Sequence, residues 1–206
     1  MRRQLVKEVA EKGIKSKAIL AAIGRVPRHY FFEKIFDVHA YEDKAFPIGE
    51  GQTISQPYTV AFQTELLQIK SGSKILEIGT GSGYQATILL ELGAKVFTIE
   101  YQKKLFDQTA QFLPSIGYNP NFYYGDGSKG LAENAPYDGI LVTAGAPTVP
   151  DELVKQLKVG GRLVIPVGDH KKQRMILIHK ISRTKLTKKA FDHFSFVPLL
   201  GAKGWQ

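Results

Sequence analysis

The chain has 206 residues, of which 43% are hydrophobic and 23% are charged, and it contains no cysteine. These proportions are typical of a globular domain and exclude disordered and collagen-like proteins, and a chain without cysteine forms neither disulfides nor thiolate metal sites. Its 28 basic and 19 acidic residues give a formal net charge of +9. This charge fits a solvated surface or an acidic protein partner; the basic residues lack the interleaved aromatic residues of a single-strand binder, which argues against a nucleic-acid partner.

The N-terminal part is predicted to be helical and then irregular. Apolar residues at helical spacing over residues 1–25 predict a helical cap on the core, with a break at Gly13. The chain has neither the apolar run of a signal peptide nor the roughly 18 apolar residues of a membrane span, so we expect a cytoplasmic protein without a membrane partner. Residues 26–56 are predicted to form a long loop, and loops of this length are often functional.

A parallel sheet is predicted from residue 57 onward. A helix begins at Pro57, and it is followed by strands at 74–78, 95–100, 121–124, 138–142 and 161–167 that alternate with helices near 84–92, 102–113 and 150–157. Two last strands, at 175–181 and 191–198, have no helix between them and predict an antiparallel pair. The fold class is therefore α/β, with a doubly wound, mostly parallel Rossmann-like sheet, an antiparallel C-terminal strand pair and an N-terminal helical cap.

The turn after the first of these strands predicts a site for a nucleoside cofactor. It consists of Gly79, Thr80, Gly81, Ser82 and Gly83. Glycines let a ligand approach the backbone, and the helix that follows offers free N–H groups. A dinucleotide fingerprint would have its third glycine at position 84, where this chain has Tyr84. The spacing therefore favours S-adenosylmethionine (AdoMet) over a nicotinamide dinucleotide.

Three carboxylates near strand ends are candidates to bind this cofactor. Glu100 closes the second strand and can accept hydrogen bonds from ribose hydroxyls, or it is a solvated strand-end residue. Asp126, followed by Gly127, can accept the adenine amino group after the third strand, or it forms an Asp-Gly turn. Glu77 in the first strand can bind the methionine ammonium, or it makes a structural hydrogen bond to the turn.

Ser55 is the candidate catalytic residue of the long loop. It has no G-x-S-x-G elbow and no associated histidine motif, so a nucleophilic role has no support. As a hydrogen-bond donor it can orient a substrate carboxylate; alternatively, it caps the helix that begins at Pro57. The 5 histidines lack metal-ligand spacing, and we expect no metal site.

Five segments, in this order, resemble the protein-L-isoaspartate O-methyltransferase family. They are AYED at 40–43 with PIGEGQTISQP at 47–57, LEIGTGSGYQ at 76–85, YDGILVTAGAP at 137–147, QLKVGGRLVIPVG at 156–168 and FVPLLGAKGW at 196–205. The resemblance implies methyl transfer from AdoMet, released as S-adenosyl-L-homocysteine, to the free α-carboxylate of L-isoaspartyl residues in damaged proteins and peptides. The ester then closes to a succinimide, which is the first step of repair.

The resemblance also implies roles for individual residues. It places Ser55 in the active site as a donor that positions the substrate carboxylate. Five more residues are expected to line the substrate pocket, namely Thr53, Ile54, Val197, Pro198 and Leu199. Because a carboxylate with a pKa of about 4 is already ionised at neutral pH, attack on a sulfonium methyl needs no strong base, and orientation can supply most of the catalysis.

On this interpretation the chain is one AdoMet-dependent methyltransferase domain, residues 1–206. It comprises N-terminal helices and a substrate loop (1–56), a cofactor-binding core (57–168) and C-terminal strands (169–206). Other classes of protein stay open: a methyltransferase acting on RNA or a small molecule, a nicotinamide oxidoreductase, and a relative that binds AdoMet without turnover.

Overall fold

A computed structural model describes residues 1–205, which form six α-helices and nine strands. The helices are α1 (Arg2–Glu11), α2 (Lys17–Arg25), α3 (Pro57–Leu67), α4 (Tyr84–Glu91), α5 (Lys103–Ser115) and α6 (Asp151–Lys155). The strands are β1 (Phe46–Gly49), β2 (Gln52–Ile54), β3 (Lys74–Ile78), β4 (Lys95–Glu100), β5 (Asn121–Tyr124), β6 (Tyr137–Val142), β7 (Leu157–Gly168), β8 (Gln173–Lys180) and β9 (Leu186–Phe194). Short 3-10 helices lie at Arg28–Phe31, Lys34–His39, Gly127–Lys129 and Ala132–Asn134.

Seven of the described strands form the main sheet, in the order β5, β4, β3, β6, β7, β8, β9. The pairs from β5 to β7 are parallel, whereas β8 runs antiparallel to both β7 and β9. The predicted fold class is confirmed. Since the strand order reverses between β3 and β6, the carboxyl ends of these two strands mark the switch point at which ligands of such sheets bind.

The sheet is buried because its strands carry apolar residues on both faces. Neighbouring residues of β3 point to opposite sides, as the period of a strand requires. Ile75 packs in the cluster that contains Leu5 and Ile23 of the N-terminal helices, while Leu76 packs in the cluster that contains Leu153 of α6. The helices α1 and α2 therefore cover one face of the core, as the apolar spacing predicts.

The structure differs from the predicted elements at two places. The loop at 26–56, predicted to be irregular, contains an antiparallel hairpin of β1 and β2, whose turn uses positive φ at Gly49 (90°) and Gly51 (68°). The last strand, predicted at 191–198, runs from Leu186 to Phe194. Residues beyond Phe194 leave the sheet edge and cross to Gly145, which forms an isolated parallel bridge with Pro198.

Candidate active site

A cleft opens at the carboxyl ends of β3, β4 and β6 and encloses about 740 Å³, including the part that is open to solvent. Most of the residues predicted from the sequence line it: Thr53, Ile54, Ser55, Gly79, Thr80, Gly81, Ser82, Glu100, Gly127, Val197, Pro198 and Leu199. The cleft thus combines the predicted catalytic serine, the glycine turn and both substrate walls. Glu77, Gly83 and Asp126 do not line the cleft.

The glycine turn is shaped by left-handed backbone and by a threonine from the neighbouring strand. Gly79, Gly81 and Gly83 have φ angles of 95°, 51° and 82°, which other residues rarely adopt. The Thr143 hydroxyl lies 2.7 Å from the Gly79 carbonyl oxygen and 2.9 Å from the Ile78 carbonyl oxygen, and it can donate to either. A Cβ atom at Gly79 would lie 2.5 Å from Thr143 Oγ1. The turn therefore has no room for a side chain on the β6 side.

Gly83 contributes to packing instead of to the cleft. A Cβ atom at this position would lie 2.7 Å from a methyl group of Leu113 and 2.9 Å from a methyl group of Thr109, both on α5. The Thr109 hydroxyl donates to the Gly81 carbonyl at 2.6 Å. A glycine at position 83 is therefore needed for α5 to pack this closely. The helix α5 also stabilises the glycine turn through the hydrogen bond from Thr109 to Gly81.

Glu100 lies at the rim of the turn with both carboxylate oxygens in use. Its Oε2 accepts the Gly81 amide at 2.8 Å, and its Oε1 accepts the Gln102 amide at 2.9 Å. Each carboxylate oxygen has a second lone pair. The side chain can therefore accept further hydrogen bonds from vicinal hydroxyls of a ligand, and together with the glycines of the turn it fits the ribose of AdoMet.

Asp126 is engaged with the C-terminal segment. Its Oδ1 accepts the amide and the hydroxyl of Ser128 at 3.0 Å and 2.6 Å, and its Oδ2 accepts the Ala202 amide at 2.9 Å. Burial raises the pKa of Asp126, but the hydrogen bonds from Ala202 and Ser128 outweigh it, so the net pKa lies below its ordinary value. Asp126 thus has the structural role in the turn that was the alternative to cofactor binding. Binding of the adenine amino group stays a prediction.

Glu77 lies behind the turn and is fully buried. Its Oε2 accepts the Thr98 hydroxyl at 2.5 Å, and Thr98 Oγ1 lies 2.7 Å from Thr80 Oγ1 in the turn. Its Oε1 has no hydrogen-bond partner. Burial raises the pKa of Glu77 to about 8, against a smaller lowering by Thr98. At neutral pH the side chain is therefore mostly protonated; its contact with a ligand ammonium stays a prediction.

The predicted acceptor side of the cleft is lined by the segment from Thr53 to Ser55. Ile54 is buried in the core at 2% exposure, whereas Thr53 is exposed and Ser55 is half-buried. Ser55 does not cap α3, since Asp43 Oδ1 accepts the first-turn amide of Tyr58 at 2.7 Å. The Ser55 hydroxyl is thus left to face the cleft. Asp43 lies 15 residues before Tyr58, a separation at which no local pattern indicates a cap.

The opposite wall is fixed by main-chain hydrogen bonds to Gly145. The Gly145 amide donates to the Val197 carbonyl at 2.8 Å, and the Leu199 amide donates to the Gly145 carbonyl at 2.7 Å. The indole N–H of Trp205 reaches the same carbonyl at 3.0 Å. Residues 197–199 are therefore held beside the cleft; their contact with a substrate stays a prediction.

Thr143 and Ala144 line the cleft at the end of β6, as their predicted position at a strand end indicates. Sequence reasoning missed several other lining residues: Gln52, Val60, Ile78, Tyr84, Gln85, Ile99, Tyr101, Gln102 and Leu200. Proximity to strand ends is the signal that could have found those around residue 100. Gln85 has no such signal. Its amide donates to Thr64 Oγ1 at 3.0 Å, and the Thr64 hydroxyl donates to the Val60 carbonyl, so the Gln85 orientation is fixed with Oε1 left unpaired.

Similar sequences of known proteins belong to the family that the sequence motifs resemble. A family model described as "Protein-L-isoaspartate(D-aspartate) O-methyltransferase (PCMT)" matches residues 1–204. A Cytophaga hutchinsonii protein named protein-L-isoaspartate O-methyltransferase is 58% identical over 205 residues, which cover 100% of this chain and 93% of that protein. A Christiangramia forsetii protein of the same name is 57% identical over 203 residues, covering 98% and 95% of the two chains.

Solved structures give the same result. A structure named protein-L-isoaspartate O-methyltransferase superposes with a TM-score of 0.87 at 30% identity. The superposition covers 98% of this chain and 67% of the chain in that structure. A Plasmodium falciparum protein solved in complex with S-adenosyl-L-homocysteine has a TM-score of 0.80 at 24% identity, covers 97% and 98% of the two chains, and shows the shared fold. The resemblance seen in the sequence is confirmed, and the chain belongs to the protein-L-isoaspartate O-methyltransferase family.

Proposed function

We propose that the chain transfers the methyl group of AdoMet to the free α-carboxylate of L-isoaspartyl residues in damaged proteins and peptides. The observation that carries this proposal is the family match over residues 1–204, which includes the Ser55 loop and both walls of the cleft. The backbone amide nitrogen that follows then attacks the methyl ester and expels methanol to form a succinimide, whose hydrolysis can give a normal aspartyl linkage. S-adenosyl-L-homocysteine is the second product.

The residues at the carboxyl ends of β3 and β4 would hold the cofactor. Gly79 and Gly81 of the turn line the cleft and offer backbone that a ligand can approach, and the Glu100 carboxylate offers acceptors to ribose hydroxyls. When bound, AdoMet supplies a methyl group on a positively charged sulfur. Gly127 lines the same part of the cleft, and a Cβ atom there would lie 2.5 Å from a methyl group of Ile78 and 3.0 Å from one of Ile99.

The acceptor needs orientation more than activation. The α-carboxylate of an isoaspartyl residue is ionised at neutral pH, so its oxygen attacks without loss of a proton and forms the C–O bond while the C–S bond breaks. We assign to the Ser55 hydroxyl a hydrogen bond to this carboxylate, which fixes the attacking oxygen. Orientation of this kind accounts for large rate effects when the reacting atoms are held at about 3 Å.

Main-chain contacts explain how different substrate sequences can be accepted. Thr53 and Pro198 are exposed on opposite walls of the cleft. An extended peptide between them would bind through its backbone, and such binding depends little on side-chain identity. The proposed partners are therefore isoaspartyl proteins and peptides of varied sequence.

Methyl transfer to matched peptides tests the proposal directly. Labelled AdoMet is supplied with a short peptide that contains L-isoaspartate, and in parallel with the same peptide that contains aspartate. We expect transfer to the isoaspartyl peptide alone. Ser55→Ala should retain AdoMet binding and lose most transfer, whereas the surface control Ser115→Ala should retain both. Binding of AdoMet without transfer to either peptide would indicate another acceptor or a silent relative.

We further propose that residues 1–206 act as one domain, because Ser55, Gly81 and Leu199 from the three parts of the chain line the same cleft. Within residues 1–205, no helix is both long and apolar enough to cross a bilayer. Nor do these residues contain a group of three histidine or acidic side chains arranged to hold a metal ion. The cytoplasmic location stays a prediction.

A further inference from the structure

Arg28 is a fully buried cation whose hydrogen bonds go to the main chain. It begins the 3-10 helix Arg28–Phe31, directly after α2, and is 0% exposed. The ion pairs found among residues 1–205 do not include it. Burial lowers the pKa of Arg28 to about 10, which still leaves it protonated at neutral pH. Burying such a charge is unfavourable unless its donors are satisfied; both Nη atoms donate hydrogen bonds, whereas Nε has no hydrogen-bond partner.

The guanidinium joins three carbonyl groups of the acceptor region. Nη1 donates to the Ala40 carbonyl at 2.7 Å, and Nη2 donates to the carbonyls of Lys44 and Ser55 at 2.8 Å and 3.3 Å. The planar fork of arginine sets the relative positions of the groups that it binds. Arg28 therefore ties the backbone of Ser55 to the loop at 40–44.

The same guanidinium lies among three aromatic rings. Its central carbon is 5.3 Å from the ring centroid of Phe32 and 5.6 Å from those of Phe46 and Tyr84. Tyr84 is the first residue of α4, follows Gly83 of the glycine turn directly and lines the cleft. This is the position at which a dinucleotide fingerprint has glycine. Arg28 thus contacts the acceptor loop on one side and the cofactor side of the cleft on the other.

We propose that Arg28 is a positioning residue that fixes Ser55 relative to the glycine turn, with the Tyr84 ring as its support on the cofactor side. The inference rests on the proposed function. Arg28 binds the Ser55 carbonyl and leaves the hydroxyl free, so it acts through Ser55 and not on the substrate. Misplacement of a reacting group by about 1 Å can cost on the order of 100-fold in rate.

The effect on kinetics is measured with Arg28→Met and Arg28→Lys. We expect Arg28→Met to lower kcat for the isoaspartyl peptide by about 100-fold, while calorimetric affinity for S-adenosyl-L-homocysteine changes by less than about threefold. Lysine keeps the charge without the planar fork, so Arg28→Lys should remain closer to Arg28→Met than to wild type. If Arg28→Met does not fold, the kcat of Arg28→Lys and its affinity for S-adenosyl-L-homocysteine test the proposal instead. A variant that binds S-adenosyl-L-homocysteine normally and retains kcat within about twofold overturns the proposal.

Arg162 in β7 offers a matched control, because it does not line the cleft at the carboxyl ends of the strands. It is partly buried, donates to the Leu66 carbonyl at 3.1 Å and pairs with Gly139 near the start of β6. Arg162→Met removes a comparable contact between an arginine and the main chain. It should lower the melting temperature without changing kcat or KM. A similar loss of kcat in Arg162→Met would mean that the effect at Arg28 is one of general stability.

Two further measurements test whether Arg28 acts through Ser55. In the double variant Arg28→Met with Ser55→Ala, kcat should be close to that of Ser55→Ala alone, and losses that multiply would contradict the inference. Hydrogen exchange at residues 52–56 should be faster in Arg28→Met than in wild type or Arg162→Met. This exchange readout does not depend on the acceptor: unchanged exchange refutes the role of Arg28, whereas a wild type that fails to methylate the isoaspartyl peptide refutes the proposed function.

Discussion

The Glu100 carboxylate accepts the Gly81 amide at 2.8 Å, so the acid at the end of β4 is bound to the glycine turn that follows β3. The two strands are parallel neighbours with Ile78 opposite Ile99, which brings their carboxyl ends together. The acid therefore has two consequences for the site. It stabilises the left-handed turn, and we propose that its remaining lone pairs accept hydrogen bonds from the ribose of AdoMet.

Replacement of Glu100 by alanine should weaken cofactor binding. The change removes the acceptors proposed for the ribose and leaves the Gly81 amide without its partner. Hydrogen bonds to a charged group contribute about 1.5–3 kcal/mol, which corresponds to a loss of affinity of roughly 10- to 100-fold. Isothermal titration with S-adenosyl-L-homocysteine measures this loss. The exposed Glu133→Ala is the control, and wild-type affinity in Glu100→Ala would refute the ribose role.

Replacement of Gly79 by alanine should destabilise the turn through both backbone strain and steric overlap. Gly79 has φ 95° and would place a Cβ atom 2.5 Å from Thr143 Oγ1. Gly160 has φ 85° with no atom within 4 Å of an added Cβ atom. Gly160→Ala therefore measures the strain alone, about 1–2 kcal/mol.

Urea denaturation of the two alanine variants separates these contributions. Gly79→Ala should lower the free energy of unfolding by more than Gly160→Ala does. Adding Thr143→Ala to Gly79→Ala should recover part of the difference, because it removes the overlapping hydroxyl. Equal losses in the two single variants would show that the turn relaxes away from Thr143.

The glycine turn and Glu100 could be predicted because their sequence signals are local and because the sheet topology places the ends of their strands side by side. Alternating glycines after an apolar strand indicate a tight turn, and a parallel sheet brings the ends of neighbouring strands to one edge. The prediction of a site formed by Gly81 and Glu100 needs no knowledge of side-chain packing, because both residues lie at strand ends. Ser55 was assigned to the same site by the resemblance to the family.

Local sequence patterns could not predict the contacts of Arg28, of Asp43 or of the C-terminal end of the chain, because these contacts join residues far apart in the sequence. Arg28 reaches a carbonyl 27 residues away and Asp43 caps a helix 15 residues away. Asp126 accepts an amide 76 residues away. Contacts at these separations depend on how loops fold over the core, and no spacing in the sequence encodes them. The same applies to the end of β9, which stops where the chain turns towards Gly145.

Replacement of Asp126 by asparagine distinguishes its two possible roles. The amide group cannot accept both Ser128 and Ala202 as the carboxylate does, so the segment around Ala202 should loosen and its amide should exchange faster. If Asp126 also binds the adenine amino group, affinity for S-adenosyl-L-homocysteine falls as well. If it only holds the segment, KM for the peptide rises and the affinity for S-adenosyl-L-homocysteine is retained. Unchanged exchange at Ala202 would contradict the observed hydrogen bond.

The buried Glu77 should make the stability of the protein depend on pH. Burial raises the pKa of Glu77 to about 8 in the folded state, against an ordinary value of 4.5. Between these two values the unfolded chain has released a proton that the folded protein still holds. The free energy of unfolding therefore falls as the pH rises through this window, and this contribution becomes constant above about pH 8.

Glu77→Gln removes the ionisation while it keeps a side chain of similar shape. The difference in unfolding free energy between Glu77→Gln and wild type should grow in favour of the variant from about pH 5 to pH 8 and then stay constant. Urea denaturation at several pH values measures it. A constant difference over that range would mean that Glu77 ionises in the folded protein as it does in the unfolded chain. Since Oε1 has no hydrogen-bond partner, such ionisation would require a solvent path or a cation that reaches this oxygen.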